Sequence, residues 1–335
     1  MTMTTTVVVA AAQYGVEFVG TWEAYAAKIT WMVEDAAAQG ARMLLFPEYA
    51  CLELASLFPA AVHANIDKLL VALQTLLPAY LHLHGTLARR HHCHIVAGSF
   101  PERLSDGSYR NRAFFFHPDG RMEHQDKLMM TRFEREVWFI TPGDEIRTFA
   151  TPWGRVGINI CYDSEFPLIA RHQVEQGAGL ILVPTCTDTA AGYNRVKLGS
   201  RARALENQCF VAMAPVVGAT PWLDAFDVTV GAAGHFSPVD YGFPDDGVLA
   251  EGTLNQPGWV CAEIDLAASA RIRAEGQVTN YRDWSRQHAL QAASPATENW
   301  LVPALVTSAA AHHHPPAHQP VDVHVPLATA TEPRP

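Results

Sequence analysis

Short apolar runs alternate along the chain with segments whose apolar residues recur every three or four positions. Val7–Ala12 is a continuous apolar run and reads as a buried strand. From Thr21, the apolar residues Trp22, Tyr25, Ala26, Ile29, Met32, Val33 and Ala36 share one helical face, with Thr21 as N-cap and Gly40 as the stop. RMLLFPE (Arg42–Glu48) is the next strand. A second helical pattern uses Leu69, Leu70, Leu73, Leu76, Leu77, Tyr80 and Leu81, and Pro78 is expected to kink it. HIVAGSF (His94–Phe100) returns to strand.

Two hairpin patterns then interrupt the alternation. RAFFFHPDGRMEHQDK turns at His117–Gly120, and IRTFATPWGRVGINIC turns at Thr151–Gly154. The helix–strand pattern resumes with a helix at Leu168–Gln176, a strand at Leu180–Val183, a helix at Asn194–Asn207 and a strand at Phe210–Val217. GVLAEG and GWVCAEIDL complete the sheet. Strands separated by helices imply parallel neighbours and hairpins imply antiparallel ones, so the fold class is α/β with a mixed sheet. Composition shifts near residue 285. Residues 1–285 read as one domain and 286–335 as a C-terminal extension. Within it, NWLVPALV (Asn299–Val306) is apolar enough to dock, for instance on a second subunit. Ala309–Pro335, rich in Pro, His and Ala, is expected to be largely disordered.

The bulk properties remove several function classes. The 335 residues are 49% hydrophobic and 17% charged, and no run approaches the roughly 18 apolar residues of a membrane span. Val7–Ala12 is too short for an anchor, and no basic segment precedes it, so neither a signal peptide nor a membrane partner is expected. A formal charge of −10 argues against nucleic acid. The six cysteines, at 51, 93, 161, 186, 209 and 261, lack a repeated spacing and read as reduced thiols of a cytoplasmic protein. The His91–His94 cluster alternates into a strand, so its imidazoles cannot all face one ion. The His312–His314 run lies in the tail, and no specific metal site is expected.

The chemically interesting residues lie where strands stop. Glu48 follows LLFP, Lys127 follows MEHQD, and Cys161 follows GINI. Carboxyl ends of strands in open α/β sheets point into ligand crevices. There a carboxylate could take the thiol proton, the thiolate attack a carbon, and the ammonium stabilise the developing charge. Taken singly, Cys161 reads more readily as a core residue, Glu48 as a helix-entry acid and Lys127 as a solvated charge. Their order and shared position at strand ends favour the chemical reading.

FPEY, HQDKLMMTRFERE and GINICYDSEFP together resemble the three signature segments of the nitrilase superfamily of carbon–nitrogen hydrolases. GAGLILVPTCTDT and RARALENQCFVAMAPVVG extend the resemblance, which covers about residues 7–284. It implies a four-layer α-β-β-α sandwich and a catalytic set of Glu48, Lys127 and Cys161. It also implies a supporting glutamate, for which Glu134 fits better than Glu136. A plain ion pair of Glu134 with Arg132 or Arg135 stands as the alternative. The backbone N–H of Tyr162 is the implied oxyanion donor, and no cofactor is implied. Pro167 suits the first turn of the following helix, whose dipole is expected to lower the thiol pKa if it points that way.

Within the superfamily, CYDSEFP resembles amidase-like members rather than nitrile hydrolases. The implied reaction is hydrolysis of a small amide through a thioester, with a nitrile or an N-carbamoyl amide as alternative substrates. The chain is similar to bacterial members often fused to an N-acetyltransferase domain, and none is seen in these residues. Leu168 stands where relatives commonly carry Glu. Asp188 and Tyr193, in the Thr187–Arg195 segment, and His235 and Phe236, in the Gly231–Pro238 segment, are expected in pocket loops. Arg203 and Glu206 are expected to form a structural pair. The family also implies a homodimer or larger assembly. A catalytically dead assembly or metal-binding protein is the alternative of another class, and a histidine-activated amidotransferase finds only His235 for its base.

Overall fold

The computed structural model describes residues 5–223, 225 and 227–287. The expected docking segment Asn299–Val306 and the tail from Ala309 lie outside them. The chain begins with β1 (Thr6–Gly15), α1 (Trp22–Ala38), β2 (Met43–Phe46), α2 (Ala60–His63), α3 (Ile66–Leu73) and α4 (Leu77–His91). It continues with β3 (His94–Arg103), β4 (Tyr109–Phe116), β5 (Met122–Asp126), α5 (Arg132–Glu136), β6 (Thr148–Thr151), β7 (Gly154–Ile158) and α6 (Pro167–Glu175). Then come β8 (Ala178–Thr185), α7 (Ala190–Asn207), β9 (Phe210–Ala219), β10 (Val228–Thr229), β11 (Gly234–Phe236) and β12 (Val248–Glu251). β13 (Gly258–Asp265), α8 (Leu266–Glu275) and α9 (Asn280–Asp283) complete the described residues.

The strands form two mixed sheets, β5-β4-β3-β2-β1-β13 and β6-β7-β8-β9-β11-β12. Among the described residues they join where Tyr14 and Gly15 of β1 pair in parallel with Val216 and Val217 of β9. Elsewhere they face one another, as Phe115 of β4 and Phe149 of β6 do with ring centroids 5.0 Å apart. Val7, Val9 and Ala11 point into the space between the sheets, whereas Ala10, Ala12 and Tyr14 pack under α1 and α4. α6 and α7 cover the other sheet through Ala170, Val174, Val196 and Ala204. The result is a four-layer α-β-β-α sandwich. Strands buried on both faces need no polar side, which is why β1 and β8 appear as unbroken apolar runs.

Local signals place most elements correctly. The Thr21 hydroxyl accepts from Ala24 N at 3.2 Å and caps α1, whose buried face is Tyr25, Ile29, Met32, Val33 and Ala36. Both expected hairpins form, as β4–β5 and β6–β7. Pro78 does not kink a helix. α3 ends at Leu73, and Pro78 lies in the first turn of α4, where a missing N–H costs nothing. α7 starts at Ala190, four residues earlier than expected, because the Thr189 hydroxyl accepts from Gly192 N. The Gly231–Pro238 segment is not simply a loop, since β11 pairs with both β9 and β12. Among the described residues no helix is long and apolar enough to cross a membrane.

A close backbone contact sets the level of Glu48. Gly98, in an irregular part of β3, has φ +73°, and a Cβ there would sit 2.1 Å from the carbonyl oxygen of Pro47. The neighbouring Ser99 hydroxyl accepts from Tyr49 N at 3.1 Å, so β3 grips both sides of Glu48. Gly98→Ala is expected to destabilise the protein by about 2 kcal/mol or more, because both the left-handed backbone and the contact oppose a side chain. Thermal unfolding of that variant checks this.

Candidate active site

Glu48 lies two residues beyond β2, Lys127 one beyond β5 and Cys161 three beyond β7, so three distant segments meet at one edge of the sandwich. Lys127 Nζ donates to Glu48 Oε1 at 2.8 Å and to Glu134 Oε2 at 2.6 Å, and all three side chains are buried. Asn111 on β4 bridges the same carboxylates, its Nδ2 lying 2.9 Å from Glu48 Oε1 and 3.1 Å from Glu134 Oε1. Cys186 N donates to Glu48 Oε2 at 3.1 Å. Glu134 also accepts from the Tyr49 hydroxyl and closes a capping box with Thr131 at the start of α5. Glu136 instead pairs with Arg132 on the surface. The structure therefore brings Glu134, not Glu136, to Lys127, and neither Arg132 nor Arg135 is its partner.

Cys161 opens a 3₁₀ turn, Cys161–Glu165, with φ +48°, a left-handed backbone that strains a non-glycine residue. Asp163 holds that conformation. Its buried carboxylate accepts from Ile160 N at 3.1 Å, Leu128 N at 3.1 Å and Met129 N at 2.7 Å, tying the turn to the residues after Lys127. α7 presses on the turn from outside. A Cβ on Gly199 would lie 2.9 Å from Ser164 O, and Arg203 Nη1 donates to that oxygen at 3.1 Å while also pairing with Glu206. Thr185, the last residue of β8, donates to Cys161 Sγ at 3.3 Å, and Sγ faces Cys186 O at 3.7 Å.

The electrostatics divide the two glutamates. Burial raises Glu48 above the usual carboxylate range, with Lys127 opposing and Glu134 adding to the shift. Burial also acts on Glu134, but Lys127 and its several donors outweigh it and leave its pKa lowered. Glu134 is thus a fixed anion, whereas Glu48, which lines the same cavity as Cys161, is suited to exchange a proton. Burial disfavours the Lys127 ammonium, yet Glu134 and Glu48 hold its pKa well above the ordinary lysine value. The Cys161 thiol is pushed up by burial and by Glu48, with only partial relief from Lys127 and Thr185. This corrects the expectation of a thiol acidified by the next helix, because α6 begins at Pro167, six residues on. Burial also raises Asp163, to about 7.

Glu48, Lys127, Cys161, Glu134, Tyr162 and Asp188 all line one cavity of about 450 Å³. Tyr193, His235 and Phe236 do not. Tyr193 turns its ring into the core beneath α7, with its hydroxyl toward Glu251. His235 and Phe236 are fully buried in β11, and His235 Nε2 lies 2.9 Å from Val260 O. Pairing with β9 and β12 turns both inward, so the expectation that they border the pocket is overturned. Sequence reasoning also missed Asn111, Thr185, Tyr49 and Trp138. Asn111 carried a usable signal: it shares a strand face with Ala113 and Phe115, and an amide there needs polar partners. Tyr49 and Trp138 form an edge-to-face pair at 4.9 Å in the cavity wall. Among the described residues, no three His, Cys, Asp or Glu side chains are grouped to hold a metal ion.

Residues 8–274 match the family model described as carbon-nitrogen hydrolase. The chain is 33% identical over 279 residues to the probable hydrolase YhcX of Bacillus subtilis, covering 82% of this chain and 53% of that protein. It thus spans about half the length of that relative. It is 31% identical over 198 residues to the omega-amidase NIT2-B of Xenopus laevis, covering 56% of this chain and 67% of the relative. Among solved structures, a mutant amidase from Nesterenkonia sp. AN1 superposes with a TM-score of 0.62 at 19% identity, covering 87% of this chain and 98% of that one. In that amidase the acetamide moiety of fluoroacetamide is covalently added at the active-site cysteine.

Removing Lys127 alone would leave two carboxylates buried face to face. Lys127→Met is expected to cost about 3–5 kcal/mol of stability, the usual penalty for breaking a buried ion pair. Adding Glu134→Gln to that variant should recover part of the loss. Urea unfolding of the single and double variants measures both effects.

Proposed function

The chain belongs to the carbon–nitrogen hydrolase family, and we propose that it hydrolyses a small amide to a carboxylate and ammonia through a thioester on Cys161. The observation that carries this reading is the Lys127 ammonium clamped between Glu48 and Glu134 beside a cysteine in a left-handed turn. In the proposed cycle Glu48 takes the Cys161 proton as sulfur attacks the amide carbon. The oxyanion faces Lys127 Nζ, which has one N–H left after serving two carboxylates, and the backbone N–H of Tyr162. Glu48 returns its proton to the departing nitrogen, and ammonia leaves. A water molecule deprotonated by Glu48 then attacks the thioester, releasing the carboxylate and restoring the thiol. Asn111 and Glu134 act as positioning residues that keep Lys127 and Glu48 in register.

The raised thiol pKa fits this order of events. Sulfur loses its proton as it attacks rather than resting as a free thiolate, so a base beside it is required. The CYDSEFP segment and the similarity to an omega-amidase support an amide over a nitrile. The covalent adduct in the Nesterenkonia amidase supports the thioester step. All six cysteines are free, which fits a cytoplasmic setting. We also propose a homo-oligomer: Leu168 on α6 and Leu198 and Leu205 on α7 are exposed apolar residues, and sedimentation of the intact chain tests it.

Cys161→Ala is expected to abolish ammonia release from small amides. Wild-type protein quenched during turnover should carry an acyl mass on Cys161, and full activity in the alanine variant would falsify the mechanism. Glu48 must be ionised to act as base, so kcat/KM falls as pH drops through its folded-state pKa. Because that pKa is raised, the acid limb should lie above the ordinary glutamate range. Initial rates between pH 4 and 9 locate that limb.

A further inference from the structure

The charges around the mouth of the cavity are unevenly paired. Two guanidiniums line it, and each already faces a carboxylate. Arg195 Nε lies 3.7 Å from Glu165 Oε1, and Arg132 Nε donates to Glu136 Oε2 at 2.8 Å. Two aspartates also line it, Asp188 and Asp227. Among the described residues neither carboxylate has a hydrogen-bond or ion-pair partner, and both are exposed.

They are brought to one wall by backbone stitching. The Thr187 hydroxyl donates to Val230 O at 2.7 Å, and Val230 N donates to Thr187 O at 2.8 Å. The segment carrying Asp188 is therefore laced to the one carrying Asp227. Asp188 follows Cys186 by two residues, and Cys186 O is 3.7 Å from Cys161 Sγ. Two residues span at most about 7 Å, so Asp188 lies on the stretch of cavity wall that adjoins the sulfur. Counting the catalytic cluster, the described lining of the cavity holds five carboxylates against three cations.

Building on the amide-hydrolase reading, we propose that this cavity selects amides whose acyl chain ends in a cation, an ω-amino amide of about three to five carbons, with Asp188 and Asp227 receiving the ammonium. The apolar faces of Phe133, Trp138 and Ala225 are available to the methylenes between the two ends. An acyl chain ending in a carboxylate meets the opposite situation. Both free charges repel it, and the guanidiniums that would receive it must first leave their own partners.

The test is a matched series of equal length at pH 7.5: 5-aminopentanamide, pentanamide and the monoamide of glutaric acid, which carry +1, 0 and −1. kcat/KM is expected to fall in that order, by about 100-fold or more from cation to anion. The cation-to-neutral ratio should shrink as salt rises. In the Asp188→Asn/Asp227→Asn double variant that ratio should fall by about tenfold, mainly through KM. Thermal unfolding establishes that the variant remains folded, and Asp188→Asn alone provides a milder version. A preference for the anionic amide, or a ratio unmoved by the double variant, overturns the inference while leaving amide hydrolysis intact. Absence of turnover with all three amides overturns the small-amide reading itself.

Discussion

Everything at this site depends on one buried cation. Lys127 is 1% exposed and lies between two carboxylates, themselves nearly inaccessible to water. None of the three would be charged there alone, since burying a single ion costs several kcal/mol. Together they carry one net negative charge, and the surrounding donors spread it unevenly. Glu134 takes the capping hydrogen bonds of α5 and the Tyr49 hydroxyl, so it remains an anion. Glu48, with fewer donors to offset its burial, is left with the raised pKa. Asymmetry of hydrogen bonding, rather than of residue type, separates a base from a support.

The sandwich supplies the rigidity such a cluster requires. Glu48, Lys127 and Cys161 each hang from a different strand end, and each connection is braced by something unrelated to chemistry. Gly98 lets β3 press on Pro47, Asp163 laces the Cys161 turn to the residues after Lys127, and Gly199 lets α7 approach that turn. Cys161 pays for its left-handed backbone with stability drawn from these contacts. Loosening any of them would move a charged or reactive group by a distance that matters, because the cluster operates through hydrogen bonds of 2.6–3.1 Å.

Much of this was legible in the chain, for identifiable reasons. A Glu after LLFP, a Lys after MEHQD and a Cys after GINI are unlike neighbours to apolar strands, and strand ends are where an α/β sheet presents chemistry. Asp188 was legible as well, as a polar residue in a segment between a strand and a helix. Tyr193, His235 and Phe236 looked similar in composition but went the other way. Gly, Ser and Pro around His235 suggested a loop, whereas hydrogen bonds to β9 and β12 draw Gly234–Phe236 into a sheet. Those partners lie more than ten residues away, and no local pattern announces them.

By itself the sequence determined the order of most strands and helices, the two hairpins and the chemical types available at three strand ends, because periodicity and side-chain chemistry are local properties. Only the tertiary structure decided that Glu134 rather than Glu136 meets Lys127, that Asn111 and Thr185 belong to the site, and that burial raises rather than lowers the Cys161 pKa. Each of those outcomes depends on which distant groups share a space closed to water. Charge pairing and desolvation are set by that space, and it exists only once the two sheets have closed on one another.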